Sequence, residues 1–381
     1  MVVAFSLLVV LAVVSLTLAV YPYVIYPSLL KLLKPATPLP LPYGAPEDVN
    51  GGRFALLFCV FNELDSIDAK LTNIAQLLHR YPGLEVLVYD DGSTDGTADR
   101  IEQAGLRIRL FQGEGRRGKA HGMKRLAAAT SREYLVFTDA NVTLDLGAIA
   151  ALQSCYQDPN IGGVCGVLSY IQEQSTATSA AGDSYWGLEE RIKQRESLSG
   201  STLGADGSIF SIRARLYPRF PDTVLDDLTV SMSVIFNGLR LVHDPRVQAS
   251  EPLVASSAKD IRRRIRISTR AFHTHRYLAP QLRAMSVKDR WKYWSHRYVR
   301  WNGGILLAVS MLSALSAIAL WNPLLACVAA GVGAAGYAAA RLTNLGKLSA
   351  VAHGVRSIFA TQQGVFRAVG GQTMATWQPP R

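Results

Sequence analysis

Cysteine is scarce in this chain, and what there is never comes in a short-spaced pair. Cys59, Cys155, Cys165 and Cys327 cannot form a knuckle-type metal site, and they read as buried, reduced thiols of a cytosolic or membrane protein. Charge is absent from two long stretches, residues 1–30 and 303–340 of the 381. No basic residue precedes the first of these and no small-x-small site closes it, which excludes a cleaved signal peptide. There is no internal repeat and no low-complexity tract, which excludes a repeat array. No nucleic-acid motif accompanies the formal charge of +11, so nucleic acid is not the expected partner.

The charge-free blocks point to lipid instead. Residues 1–30 exceed the roughly 20 apolar residues that a spanning helix needs, and the helix is expected to end near Tyr21-Pro22. As one helix, residues 303–340 would reach about 57 Å, against about 30 Å of hydrocarbon. Trp321-Asn322-Pro323 supplies the break, leaving two short spans or a re-entrant hairpin. Lys31, Lys34, Arg300 and Arg341 flank these segments and place the central region and C-terminus on the cytoplasmic side of the inner (plasma) membrane. Much of the basic excess lies in residues 259–300, interleaved with Trp291, Trp294, Tyr298 and Trp301. That mixture predicts a helix over 280–302 lying on anionic membrane lipids. Residues 31–52, rich in proline and glycine, read as a linker, and 341–381 as a cytoplasmic tail.

Between the apolar ends the pattern alternates. Strands are predicted at 54–61, 84–89, 107–111 and 134–138, with helices at 64–81, through 104, and at 120–130. Such alternation implies an α/β domain, residues 53–279, on a mainly parallel sheet with right-handed crossovers. Further on, the pattern loosens into helices at 147–156, 184–197, 227–238 and 259–277, and strands at 163–170, 208–213 and 241–244.

Polar residues collect where strands end, and ligands of open α/β sheets bind at such ends. Asn62-Glu63 follows the first strand, Asp90-Asp91 the second, and Asp139-Ala140-Asn141 the strand at 134–138, while Asp226-Asp227 opens a helix. Each has a plain alternative: a helix cap at Asn62-Glu63, a turn with an N-cap at Ser93 or Thr94, an Asx-turn at 139–141, and acids favouring a helix start at 226–227.

The order of these features resembles glycosyltransferase family 2, the inverting A-type fold shared by cellulose, chitin and hyaluronan synthases and by many single-sugar transferases. The likeness covers residues 54–277 and extends more weakly to Trp377-Gln378-Pro379. The resemblance implies a nucleotide-diphospho-sugar transferase domain in which Asn62, Glu63, Asp90 and Asp91 line the nucleotide pocket. Lys119, after Gly118, neutralises phosphate at a helix N-terminus. Asp139 and Asn141 stand at the family's Asp-x-Asp and hold Mg²⁺ or Mn²⁺ through oxygen donors. Asp227 is the base that takes the acceptor hydroxyl's proton, its pKa raised by Asp226 alongside. Asp206 and Asp226 face the acceptor.

Two departures are visible. Asn141 replaces the second Asp. Of the Gln-x-x-Arg-Trp of processive synthases only Arg266 remains, with Ile267 in place of the tryptophan; Arg262, Arg263 and Arg264 are assigned to lipid. No histidine has metal-ligand spacing, though His243 lies near a strand end within reach of the metal turn. The resulting expectation is a membrane-anchored, inverting, metal-dependent hexosyltransferase. It moves sugar from a nucleoside-diphosphate donor, UDP-linked, to a polyprenyl-linked saccharide in surface-polysaccharide assembly. The alternatives are a processive synthase, extruding its polymer through an oligomer, and a non-catalytic sugar-nucleotide-binding subunit.

Overall fold

The computed structural model describes residues 1–35, 50–171, 177–252, 257–342 and 346–374, so most of the expected linker and the terminal Trp377-Gln378-Pro379 lie outside the described residues. The chain opens with α1 (Val2–Val20) and α2 (Ile25–Leu30). The α/β part follows as β1 (Phe54–Val60), α3 (Leu64–Arg80), β2 (Glu85–Asp90), α4 (Thr97–Gln103), β3 (Ile108–Gln112), α5 (Lys119–Ala128) and β4 (Tyr134–Thr138). Then come β5 (Thr143–Leu144), α6 (Ala148–Cys155), β6 (Ile161–Ile171), α7 (Ala177–Leu198), β7 (Ile209–Arg213), α8 (Asp226–Phe236) and β8 (Arg240–Pro252).

Every residue of β1 is buried, as a central strand with both faces covered must be. Alternate side chains point to opposite faces. Leu56, Phe58 and Val60 pack with Ile67, Leu71, Ile74 and Leu77 of α3, each such burial contributing about 1.5–3 kcal/mol. Ala55, Leu57 and Cys59 meet Ala120, Met123 and Leu126 of α5 on the other side, with Val230 and Val234 of α8 in the same core.

The eight strands run in the order β3-β2-β1-β4-β7-β6-β8-β5. The β1, β2, β3 and β4 pairings are parallel, whereas β7 runs against both β4 and β6. This reversal pairs Thr138, at the end of β4, with Ile209, at the start of β7. The residues entering β7 therefore share an edge with those leaving β4. β8 is parallel to β6 and extends to Pro252, well past the expected 241–244. Its far end pairs with β5 through Thr143 and Ser250.

Helix α9 (Ser257–Tyr277) is followed by α10 (Ala279–Ala284), α11 (Val287–Tyr293), a π-helical turn (Trp294–Tyr298) and α12 (Val299–Trp301). The single flat helix expected over 280–302 is thus replaced by a broken run whose polar groups find partners in the domain. Lys292, fully buried, donates to the carbonyls of Glu196 (2.9 Å) and Ser201 (3.2 Å), and Tyr293 is fully buried beside it.

Two further apolar helices, α13 (Gly303–Trp321) and α14 (Pro323–Leu342), part at Asn322-Pro323 as expected. Together with α1, three helices among the described residues are long and apolar enough to cross a membrane. α1 meets α13 through small residues, with Ser310 Oγ donating to the Ala12 carbonyl at 2.9 Å, a packing suited to helices in lipid. The expected tail contains a long helix, α15 (Gly346–Val369), packed on α9. The two backbones approach so closely that a Cβ at Gly364 would collide with Ser268 Oγ and the Ile265 carbonyl.

Candidate active site

The carboxyl ends of β1 and β2 are laced together. Asn62 adopts a left-handed backbone (φ 52°), donates its N–H to Ser93 Oγ (2.9 Å), and accepts from the Thr94 N–H through Oδ1 (2.8 Å). Glu63 donates its N–H to Thr97 Oγ1 (3.0 Å), its carboxylate accepts from Ser66 Oγ (2.8 Å), and burial pushes its pKa above the usual range. Asp90 accepts from the Ser93 N–H at 3.1 Å and from the Ser93 hydroxyl. Neither Ser93 nor Thr94 caps the next helix. α4 begins at Thr97 after Gly96, and Asp95 Oδ1 accepts from the Thr97 N–H at 3.1 Å.

Asp91 has no exposed surface. Its Oδ1 accepts from the N–H groups of Arg117 (2.8 Å) and Gly118 (3.0 Å). The expected nucleotide contact at this residue is therefore corrected, because its carboxylate is enclosed and holds the loop before α5. Arg116 of that loop lies over the Phe61 ring, 3.7 Å from its centre.

Lys119 heads α5 and reaches Asp139 at the end of β4, Nζ to Oδ1 2.5 Å. Gly207, on the way into β7, closes the same space. A Cβ there would stand 2.9 Å from Lys119 Nζ and 3.5 Å from Asp227 Oδ2. Burial, then the neighbouring Asp226 charge, pushes Asp227 up to about 6, with Lys119 pulling against both. Asp226 itself is buried, with Arg270 at 3.9 Å.

From α9, Arg263 and Arg266 overlook these carboxylates without an ion pair among the described residues. Burial, then repulsion from Arg270 and Arg263, pushes Arg266 down to about 10, while Asp139 and Asp226 favour its charge. Crowded cations facing an aspartate-lined cleft suit a polyanion bridging them. Arg263, assigned from sequence to lipid, is exposed on α9, and Glu251, Tyr170 and Asp139 favour its charge.

Residues 56–219 match the family model described as Glycosyl transferase family 2. The chain carries a domain of this family. Poly-beta-1,6-N-acetyl-D-glucosamine synthase of Staphylococcus aureus (strain MSSA476) is 27% identical over 207 residues, covering 52% of this chain and 49% of the relative. The Staphylococcus epidermidis protein of that name is 26% identical over 220 residues, 56% of this chain and 52% of its own. The chain thus spans about half the length of the curated relatives it matches. Among solved structures, the mannosyltransferase PcManGT from Pyrobaculum calidifontis, in complex with GDP-Man and Mn²⁺, superposes with a TM-score of 0.72 at 22% identity. The match covers 96% of this chain and 99% of that one. This likeness establishes an A-type glycosyltransferase fold.

Within the family 2 domain, other expectations are revised. Asn141 does not face Asp139 alone, since its Nδ2 donates to Glu251 Oε1 at 2.7 Å. Asp206 is bound by Lys193 (2.9 Å), and although burial opposes ionisation, that ammonium holds the carboxyl below its usual range. His243 turns to Glu190 (2.7 Å), away from the expected metal role. His296 is fully buried between Glu189 (2.9 Å) and Glu196 (2.8 Å).

Three residues escaped sequence reasoning: Glu251, Lys193 and Lys70. Lys70 is 1% exposed beneath the 139–141 turn, donating to the Val142 carbonyl (2.6 Å) and Thr138 Oγ1 (3.3 Å). A lysine on the apolar stripe of a predicted helix was the available signal, since such burial demands a partner.

Proposed function

We propose that the chain is a membrane-anchored, inverting glycosyltransferase that moves a hexose from a nucleoside-diphosphate donor, UDP-linked, to a polyprenyl-linked saccharide at the cytoplasmic face of the inner membrane. The observation that carries this reading is the space beside Gly207. Asp227 Oδ2 and Lys119 Nζ both border it, at 3.5 and 2.9 Å from the same point, and Lys119 is paired with Asp139. A base and a phosphate-neutralising cation thus meet in one cleft, where an acceptor hydroxyl and a departing diphosphate would lie on either side of an anomeric carbon.

Asp227 takes the hydroxyl proton as the oxygen attacks. Lys119, Arg266 and Arg263 offset charge as it builds on the leaving diphosphate. Asn62, Glu63 and Asp90 line the nucleoside end, with Asp91 holding the 115–118 loop. Asp206, fixed by Lys193, and Asp226 border the acceptor end. A hard divalent cation fits the donor chemistry of the turn, because Asp139 and Asn141 offer oxygen ligands. No group of three or more His, Cys, Asp or Glu side chains among the described residues could hold such an ion, so its remaining ligands would be diphosphate and water oxygens. When bound, Mg²⁺ or Mn²⁺ would neutralise the diphosphate.

A second reading, processive synthesis, is favoured by the names of the staphylococcal relatives. Ile267, about 40% exposed on α9, offers no stacking surface for a growing chain and counts against it.

Detergent-purified protein, given UDP- and GDP-sugars with native lipid extract, should consume one donor in the presence of Mg²⁺ or Mn²⁺ and yield a product of inverted anomeric configuration. Asp227→Asn should bind that donor but not transfer it. No consumption of any donor, or full activity of that variant, would remove the reading. A ladder of many additions per encounter would establish the processive alternative.

A further inference from the structure

Glu251 is 6% exposed at the far end of β8, and although the charge of Arg263 favours its ionisation, no ion pair holds its carboxylate among the described residues. Other carboxylates differ. Half-buried Asp139 and Asp206 have Lys119 and Lys193, and buried Asp244 has Arg246. An unpaired buried carboxylate is costly and is retained where something offsets its charge. Among the described residues its carboxylate accepts from Asn141 Nδ2, at 2.7 Å. Because that bond fixes the amide nitrogen on Glu251, Asn141 Oδ1 is the end left to ligate. The register explains the meeting, since Glu251 follows Ser250, which pairs with Thr143 two residues past Asn141.

We infer that Glu251 supplies, through Asn141, the negative charge that a second aspartate in the 139–141 turn would carry, so that the divalent-cation site of this chain is Asp139 and Asn141 backed by Glu251. Glu251 is a positioning residue: it orients the Asn141 amide and raises the electron density at Oδ1. This inference rests on the metal-dependent reading above. It also accounts for how an asparagine stands where neutral oxygen alone would bind a hard cation weakly.

The test is Mn²⁺ affinity, read from the EPR signal of free Mn²⁺ in titrations of the full chain in detergent with UDP or GDP and no sugar. E251Q should weaken Mn²⁺ binding by about 10–100-fold. The exchange variant N141D/E251Q moves the charge into the turn and should return the affinity to within about threefold of wild type. An unchanged affinity in E251Q, or an exchange variant no better than E251Q, overturns the inference. Melting curves follow each protein. If E251Q does not fold, the exchange variant decides alone, with a loss beyond about threefold counting against. Loss of acceptor KM in E251Q with unchanged Mn²⁺ affinity also overturns it, making Glu251 an acceptor contact. If wild-type protein takes up no Mn²⁺ with either nucleotide, the metal-dependent reading fails and this inference with it. Uptake by wild type that E251Q leaves intact removes the inference alone.

Discussion

Lys119 Nζ stands 2.5 Å from Asp139 Oδ1, which makes the cation at the head of α5 and the turn after β4 one unit. The same lysine lowers the proton affinity of Asp227. Lys119→Met should therefore do two things at once. Transfer should fall by about 10²–10³, the usual loss when one charge-stabilising group is removed. Without its cation, Asp227 should also titrate higher, so the acid limb of the kcat–pH profile moves upward. A profile that keeps its midpoint would separate Lys119 from the base.

Asp227 itself sets the pH dependence. Its folded pKa of about 6 lies above the ordinary 3.8 of an aspartate, chiefly through burial and then Asp226. Activity should rise as pH passes through about 6 and level above it, because only the carboxylate accepts the proton. Stability has the opposite sign. The folded state binds this proton more tightly, so the contribution is full below 3.8 and is lost as pH rises through about 6. Asp227→Asn should raise Tm at pH 8 relative to wild type and flatten this part of the Tm–pH curve.

Gly207 tests the shared space. In Gly207→Ala the new methyl meets the flexible end of Lys119 at 2.9 Å, so the fold adjusts by moving that side chain. Stability should change by less than about 1 kcal/mol, within the usual range for a tolerated substitution. Transfer should fall at least about tenfold, since a misplacement near 1 Å is enough for such losses. Calorimetry beside initial rates checks both; a silent substitution would show that the space is not used.

Tyr26 of α2 donates to the buried Glu196 carboxylate at 2.5 Å, and Glu196 is held in turn by His296. Tyr26→Phe should lower stability by about 1.5–3 kcal/mol, the worth of a hydrogen bond to a charged group. Activity per folded molecule should persist, because the contacts of Tyr26 with Glu196, Tyr21, Trp291 and His296 lie outside the cleft residues named above. Denaturation in detergent, with rates normalised to folded protein, distinguishes this from a catalytic defect.

What was legible in the sequence was local. The periodic segments gave the strands at 54–60 and 134–138 and the helix at 64–80 nearly to the residue, because packing on both faces of a parallel sheet imposes apolar runs. The break at Asn322-Pro323 and the polar strand ends were equally plain, each following from the chemistry of one or two adjacent residues. Hence the chemistry of Asn62, Asp90, Lys119 and Asp139 is visible in the sequence.

Other relationships depended on which strands became neighbours. That β7 runs against β4 brings Gly207 to the edge holding Asp139, and no periodicity carries the direction of a strand. That β8 continues to Pro252 sets Glu251 beside Asn141, 110 positions earlier. Arg263 reads as a lipid-facing charge because its helix is basic, whereas in the fold Glu251 and Asp139 favour its charge. Asp91 looked like a ligand because its type and place suit one, until the loop before α5 folded over it. Which residues can do this chemistry follows from side-chain type and local backbone, and both are written in the sequence. The tertiary structure decided which of them meet, because sheet order and helix packing bring together groups whose separation along the chain carries no signal.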